Sequence, residues 1–253
     1  MSLQVTYIGH ATTLIQWDGV TILTDPVFSS RVLFFKRAQP LAYDLSQLPK
    51  LDAILLSHAH YDHLDLFSYK YIPREVPIVI PEGMSKAISP FVNNPVIELA
   101  TWGRYKLEKD LEICAVPARH PGGRLFFPYR YPKCHGYILT KNKENIYFAG
   151  DTAYRNDFKD LAALYKLKLA LLPFATTQNN GLMRRRHMNV DEVIQCWMDL
   201  GQPDCIPIHW GTFFTYLSNP ERLLHQVKKK MAAYPPLEKK LHILKANETF
   251  ELS

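Results

Sequence analysis

Apolar residues in this chain come in short bursts, and Gly, Pro, Asn and Asp stand between them. Runs of roughly four to eight residues, rich in β-branched and aromatic side chains and bounded by turn formers, read as strands. The pattern predicts strands over 3–8, 11–17 and 20–24, with Asp18-Gly19 as the hairpin turn between the last two. After a loop at 26–50 it predicts a strand at 53–57, a short helix from about Leu64, a strand at 78–80 and a helix near 84–88. Short strands follow near 96–99, 104–108 and 111–116, before a loop at 121–134. The second half repeats the theme with strands at 136–140 and 146–149, a helix at 158–165 and a strand at 169–172. Residues 190–200 are expected to form helix, because Val190, Val193, Ile194 and Trp197 fall on one stripe. A strand at 205–208, a helix at 220–230 and a terminal strand over 242–252 complete the pattern. No low-complexity linker divides the chain, so the expectation is one α/β domain over residues 1–253, built of two sheets flanked by helices.

One of these runs, Ala53-Ile54-Leu55-Leu56, leads into His58-Ala59-His60-Tyr61-Asp62-His63, a His-x-His-x-Asp-His sequence. Such density of imidazole and carboxylate serves no packing purpose, since both are costly to bury unless something pairs with them. They are the ligand types of zinc and similar divalent ions. In an extended turn His58 and His60 point the same way, while Asp62 and His63 lie past the bend and can face a second ion. Three further apolar runs end in residues of the same kind: 111–117 leads to His120, 145–149 leads through Gly150 to Asp151, and 204–208 leads to His209. Four strands therefore deliver ligands from one edge, where α/β sheets place their sites. Seven ligands fill two ions: His58, His60 and His120 on one, Asp62, His63 and His209 on the other, with Asp151 bridging. Zinc is the expected metal, with manganese and iron as alternatives. A solvated His-rich loop is the plain alternative, and the ligands supplied by the rest of the chain argue against it.

The His-x-His-x-Asp-His run with a later His, Asp and His resembles the signature of the metallo-β-lactamase-fold hydrolase superfamily. Four more segments are similar to the phospholipase D family that hydrolyses N-acylphosphatidylethanolamine and its bacterial relatives: Gly9-His10-Ala11-Thr12, Leu23-Thr24-Asp25-Pro26-Val27-Phe28-Ser29-Ser30-Arg31, Phe148-Ala149-Gly150-Asp151-Thr152 and Ile208-His209-Trp210-Gly211-Thr212-Phe213. His187-Met188-Asn189-Val190-Asp191-Glu192 resembles that family's His-rich helix start before the last ligand. These segments run from about residue 5 to 215. The resemblance implies that the two sheets form an αββα sandwich of mixed β-sheets flanked by helices.

Bulk properties narrow the choice of function. At 253 residues with 47% hydrophobic content, one two-layer domain can bury a sizeable core. No apolar run approaches the ~20 residues of a membrane span. Met1-Ser2-Leu3-Gln4 runs straight into the first strand without a secretory apolar region, and the four cysteines show no Cys-x-x-Cys spacing, so a reducing cytoplasm is the expectation. The net charge of +6 suits an anionic substrate or surface, although Lys228-Lys229-Lys230 and Lys239-Lys240 read as solvated helix faces. Bases mix with aromatics at 31–37 and at 124–133, where Phe34, Phe35, Phe126, Phe127 and Arg130 would form a rim for a phosphate head and an apolar tail. The competing reading is that these aromatics cover the loops' own small cluster or a subunit contact. Peripheral membrane contact follows from the first reading. Nucleic-acid-processing relatives need an extra domain or arm, for which the chain has no room.

Two close cations lower the pKa of a shared water to about 7 and so generate hydroxide as the nucleophile. Asp62 then serves catalysis by holding the second ion. Asp25 is expected behind the ligands, orienting a ligating imidazole, with a turn role before Pro26 as its alternative. His10 is expected to give similar support or to be a satisfied core histidine. His187 is the candidate to donate a hydrogen bond to substrate or leaving group, with a surface histidine after Arg184-Arg185-Arg186 as its alternative. The leading expectation is a phosphodiesterase of phospholipase D type on an anionic or lipid-like substrate. A lactonase or other carboxyl-ester hydrolase on a small anionic substrate is the alternative, and a metal-binding scaffold without turnover is a second one.

Overall fold

The computed structural model describes residues 2–38, 40–124, 133–175, 185–213 and 220–252. In chain order the first half runs β1 (Leu3–Gly9), β2 (Thr12–Trp17), β3 (Val20–Thr24), a small hairpin β4 (Arg31–Val32) and β5 (Phe35–Lys36), β6 (Ala53–Leu55), β7 (Ile78–Pro81), α1 (Ser85–Ile88) and β8 (Val96–Leu99). The second half runs β9 (Arg104–Lys106), β10 (Glu112–Pro117), β11 (His135–Lys141), β12 (Glu144–Phe148), α2 (Phe158–Leu164), β13 (Leu167–Pro173), α3 (Val190–Asp199), β14 (Asp204–Ile208), α4 (Pro220–Ala233), α5 (Pro235–Lys240) and β15 (Glu248–Leu252).

Two large sheets result, with strand orders β15-β1-β2-β3-β6-β7-β8 and β14-β13-β12-β11-β10-β9. Each is mixed. In the first, β1, β2 and β3 pair antiparallel and β3, β6, β7 and β8 pair parallel. In the second, β9 to β12 pair antiparallel and β12, β13 and β14 pair parallel. Side chains alternate along each strand, and this alternation builds the layers. Val5, Ile15, Ile22 and Leu55 of the first sheet share one buried cluster with Ile113, Ile146, Leu171 and Ile206 of the second. The intervening positions face outward. Tyr147, Ala170, Leu172 and Cys205 pack under Leu161, Val193, Trp197, Val227 and Leu237 of the helices. Leu14, Leu23, Ile54 and Ile78 pack under Tyr69, Ile72, Met84 and Ile88. The architecture is the αββα sandwich.

Differences from the sequence pattern have local causes. The turn after the His-rich loop is a 3-10 helix, Leu66–Tyr71: Asp65 caps Phe67 N at 3.3 Å, and Pro73 stops the helix before an α-helical ladder develops. The loop at 26–50 contains the β4–β5 hairpin and a 3-10 turn, Leu45–Gln47. Pro235-Pro236 opens α5, because proline fits a first helical turn, where its missing N–H is not needed. The terminal strand begins only at Glu248, because His242 is drawn to Asp204 Oδ1 at 2.7 Å and Asn247 turns with φ 69. Capping of α3 follows the sequence closely: Asn189 and Glu192 form a reciprocal capping box.

Candidate metal centre

Polar residues at the ends of apolar strands converge. β1 leads to His10, β3 to Asp25, β6 to Ser57 and His58, β10 to His120, β12 to Asp151 and β14 to His209. Asp151 Oδ2 lies 4.0 Å from His58 Nε2, 3.4 Å from His63 Nε2, 3.7 Å from His120 Nε2, 3.7 Å from His187 Nδ1 and 3.2 Å from His209 Nε2. His58, His60 and His120 offer nitrogens within 4.8 Å of one another, and so do the ligand atoms of His10, Asp62, His63 and His209. Two more groups of this kind, His58-His63-Asp151 and His120-Asp151-His187, join these sets through Asp151.

Hydrogen bonds behind the cluster aim the imidazoles. His63 Nδ1 lies 2.6 Å from Asp25 Oδ2, so its N–H is donated there and Nε2 faces the centre. Ser57 Oγ donates to Asp25 Oδ2 at 2.6 Å and takes the His58 Nδ1–H at 2.9 Å, which leaves His58 Nε2 free as well. His120 donates its Nδ1–H to the Arg186 carbonyl at 2.7 Å, so its Nε2 lone pair faces His60 Nδ1 at 3.1 Å. His10 Nε2 is 3.0 Å from Asp62 Oδ2, and its ring lies on His209 with centroids 3.9 Å apart. Ser57 was not among the residues expected here. A hydroxyl directly between an apolar strand and the first histidine was its only sequence signal.

The backbone at the centre is unusual. His10, Asp25 and His209 have φ of 59, 32 and 60, a left-handed conformation that costs of order 1–3 kcal/mol in non-glycine residues and concentrates at functional sites. His10 is locked into it by its own N–H, which reaches Tyr7 Oη at 3.0 Å and Thr212 Oγ1 at 2.5 Å. His209 N–H in turn donates to the His10 carbonyl at 2.8 Å. Gly150 also has positive φ, and a Cβ on it would meet Ser57 Cβ at 2.5 Å. Only glycine lets β12 bring Asp151 this close to the His58 strand.

Two tests of fit favour divalent metal. Of ten buried side-chain N and O atoms without a hydrogen-bond partner among the described residues, six are here: His58 Nε2, His63 Nε2, Asp151 Oδ1, His187 Nδ1 and both ring nitrogens of His209. Orphaned polar atoms are costly in a protein interior, and here they share one space. Charge gives the second test. Burial pushes the Asp151 and Asp62 carboxyls up, but the surrounding imidazoles outweigh it and hold both well below the usual carboxylate range. Burial also drives His58, His60, His120 and His187 down, to about 3 for His120 and about 4 for His187, so they stay neutral and keep lone pairs. At His63 and His209 burial is outweighed by Asp151, which helps push His209 up to about 9. Buried Asp151 and half-buried Asp62 thus draw positive charge, and the neutral imidazoles of His58, His60, His120 and His187 stand beside them: a donor set suited to dications.

The remaining expected residues are spread more widely. Phe34, at the hairpin tip, is 91% exposed, whereas Phe35 packs against the cluster of Val27, Val32 and Phe213. The two readings of that loop therefore divide between neighbouring residues. Phe126, Phe127 and Arg130 lie outside the described residues, as does Arg184. No described helix is long and apolar enough to cross a membrane.

A beta-lactamase superfamily domain matches residues 20–210. The N-acyl-phosphatidylethanolamine-hydrolyzing phospholipase D 1 of Caenorhabditis elegans is 33% identical over 230 residues, which take in 83% of this chain and 64% of the relative. The chain thus spans somewhat less than two thirds of that relative's length. A UPF0173 metal-dependent hydrolase of Methanopyrus kandleri is 28% identical over 98% of this chain and 100% of its own. The solved structure of Igni18, a metallo hydrolase from Ignicoccus hospitalis, superposes with a TM-score of 0.75 at 22% identity, over 100% of this chain and 99% of that one, and shares the fold. The chain belongs to the beta-lactamase superfamily. It has the metallo-β-lactamase fold.

Proposed function

We propose that the chain is a binuclear hydrolase that cleaves phosphodiesters in the manner of a phospholipase D, on an anionic or lipid-like substrate. The observation that carries this reading is the position of Asp151, whose Oδ2 lies within 4.0 Å of nitrogens from both histidine sets. His58, His60 and His120 would hold one ion, Asp62, His63 and His209 the other, and Asp151 both. Zinc suits this nitrogen and carboxylate set, and manganese and iron are alternatives. Two such ions supply Lewis acidity and ionised water at neutral pH.

The chain's own groups do the rest. Asp25 and Ser57 keep the Nε2 atoms of His63 and His58 turned inward. His10 props the Asp62 carboxylate from behind. His187 borders the centre, 3.7 Å from Asp151, and being held neutral it offers one N–H to a substrate or leaving-group oxygen. The likeness to phospholipase D relatives favours a phosphodiester over a carboxyl ester. Exposed Phe34 between exposed Arg31 and Lys36 gives a lipid-like substrate, or the lipid surface it leaves, an apolar and cationic contact. Left-handed strain at His10, Asp25 and His209 argues against a scaffold without turnover, since strain of this kind persists where it serves a mechanism. Four buried free thiols fit a reducing, cytoplasmic setting.

The test is a screen of the metal-loaded protein against long-chain and short phosphodiesters, lactones and thioesters. Phosphodiester turnover that a chelator abolishes is the expected result. Lactone turnover without phosphodiester turnover replaces the reading with the carboxyl-ester alternative.

A further inference from the structure

The loop that carries His58, His60, Asp62 and His63 is gripped from one side by a single side chain. Arg124 donates from Nε to the Ala59 carbonyl at 2.8 Å and from Nη2 to the Leu64 carbonyl. Its guanidinium carbon lies 4.3 Å from the centroid of the Tyr61 ring. One planar group thus touches the start, the middle and the end of the loop. Within the loop, His63 N and Leu64 N both donate to the His60 carbonyl, at 3.1 and 2.8 Å, which closes its second half as a turn. The first half is held from outside, because Ala59 N donates to the Gly122 carbonyl at 3.0 Å. Both backbone groups of Ala59 are therefore taken by residues 122–124.

The same stretch begins with His120, whose Nε2 is 3.1 Å from His60 Nδ1. A candidate ligand and a clamp reach the loop from one short segment. Gly122 packs against the chain at Lys133, where a Cβ would fall 2.2 Å from the carbonyl oxygen, so the segment is backed on its other side. The Nε–Nη2 edge of a guanidinium presents two fixed donors to two acceptors, whereas a lysine ammonium is a point charge on a flexible stem.

We propose that Arg124 is a positioning residue of the metal centre, which fixes the span between the Ala59 and Leu64 carbonyls and so keeps the His58–His60 half and the Asp62–His63 half each aimed at its own cation. The proposal rests on the metal-binding reading above. Arg124 acts through backbone and Tyr61, so its effect belongs to metal uptake before it belongs to turnover.

The experiment is titration of the metal-free chain with cobalt(II) and zinc(II) against a competing chelator, reading affinity and the cobalt absorption spectrum. Arg124→Ala and Arg124→Lys are compared with the unmutated chain, after circular dichroism has shown each to be folded. If the alanine variant does not fold, the lysine variant, which keeps stem and charge, carries the test. Both variants are expected to bind roughly 10–100-fold more weakly, with an altered cobalt spectrum, as follows from losing a group that orients ligands. Added methylguanidine should restore part of the affinity to Arg124→Ala. Affinity and spectrum unchanged in the variants, with normal uptake by the unmutated chain, overturn the proposal alone. Full rescue by lysine also overturns it, because charge without the fork would then suffice. No uptake by the unmutated chain overturns the metal reading and the proposal together.

Discussion

Asp25 Oδ2 lies 2.6 Å from His63 Nδ1, and both side chains are sealed from solvent. Burial pushes the Asp25 carboxyl up, and His63 and the Ser57 donors offset this only in part. Removing the carboxylate by Asp25→Ala leaves the His63 N–H and the Ser57 N–H and hydroxyl without their acceptor. The expected cost is about 1–3 kcal/mol of folding stability, together with a roughly 10–100-fold loss of metal affinity. Denaturant melts and chelator competition measure the two. Unchanged values in both would remove Asp25 from the centre.

Gly150 and Gly201 share positive φ, at 56 and 84, but only Gly150 lies against another chain segment. Gly201→Ala should destabilise through strain alone, by about 1 kcal/mol, and leave metal uptake intact. Gly150→Ala adds the clash with Ser57, which supports both His58 and Asp25, so it should weaken metal uptake as well as stability. Parallel melts and metal titrations separate the two effects. Equal metal affinity in both variants would mean that β12 tolerates a shift without moving Asp151.

His187 sits beside Asp151 but belongs to neither main donor set. His187→Ala should retain the metal content of the unmutated protein and lower turnover by roughly 10²–10⁴-fold, the range typical of a positioned proton donor. Elemental analysis with steady-state kinetics checks this. Loss of a metal ion in this variant would instead make His187 a ligand.

The hairpin tip separates lipid from small substrates. Phe34 is exposed and free to meet an acyl chain, whereas Phe35 already packs in the hairpin's own cluster. Phe34→Ser should leave stability unchanged and cost about 1.5–3 kcal/mol, at least tenfold, in capture of a long-chain phosphodiester. Hydrolysis of a short soluble phosphodiester should hardly change. Phe35→Ser should lower stability instead. Equal losses on both substrates in Phe34→Ser would mark the hairpin as structural.

Much of this was legible in the sequence because alternation within short apolar runs reports directly on sheet burial. Val5, Ile15, Ile146 and Ile206 are core residues for the reason their spacing gives. The converging polar residues were visible as the residues that follow such runs. Long-range contacts were not visible. Ser57 matters because Asp25 and His58 flank its hydroxyl, and Arg124 because Ala59 and Leu64 present two carbonyls to it. The left-handed turns at His10 and His209 arise where the segment from His209 to Thr212 meets the end of β1, a meeting of distant segments. The β4–β5 hairpin was missed, and of α5 only Lys239-Lys240 was read as helix, because aromatic and proline-rich stretches carry no clear period.

The most direct measurement is the metal content of the chain saturated with zinc and freed of excess, determined by elemental analysis beside protein concentration. The account predicts about two ions per chain for the unmutated protein, and about one for Asp62→Asn, which keeps the size of the side chain but removes the charge that holds the second ion. A ratio that stays at one in the unmutated protein under saturating metal would contradict the binuclear centre.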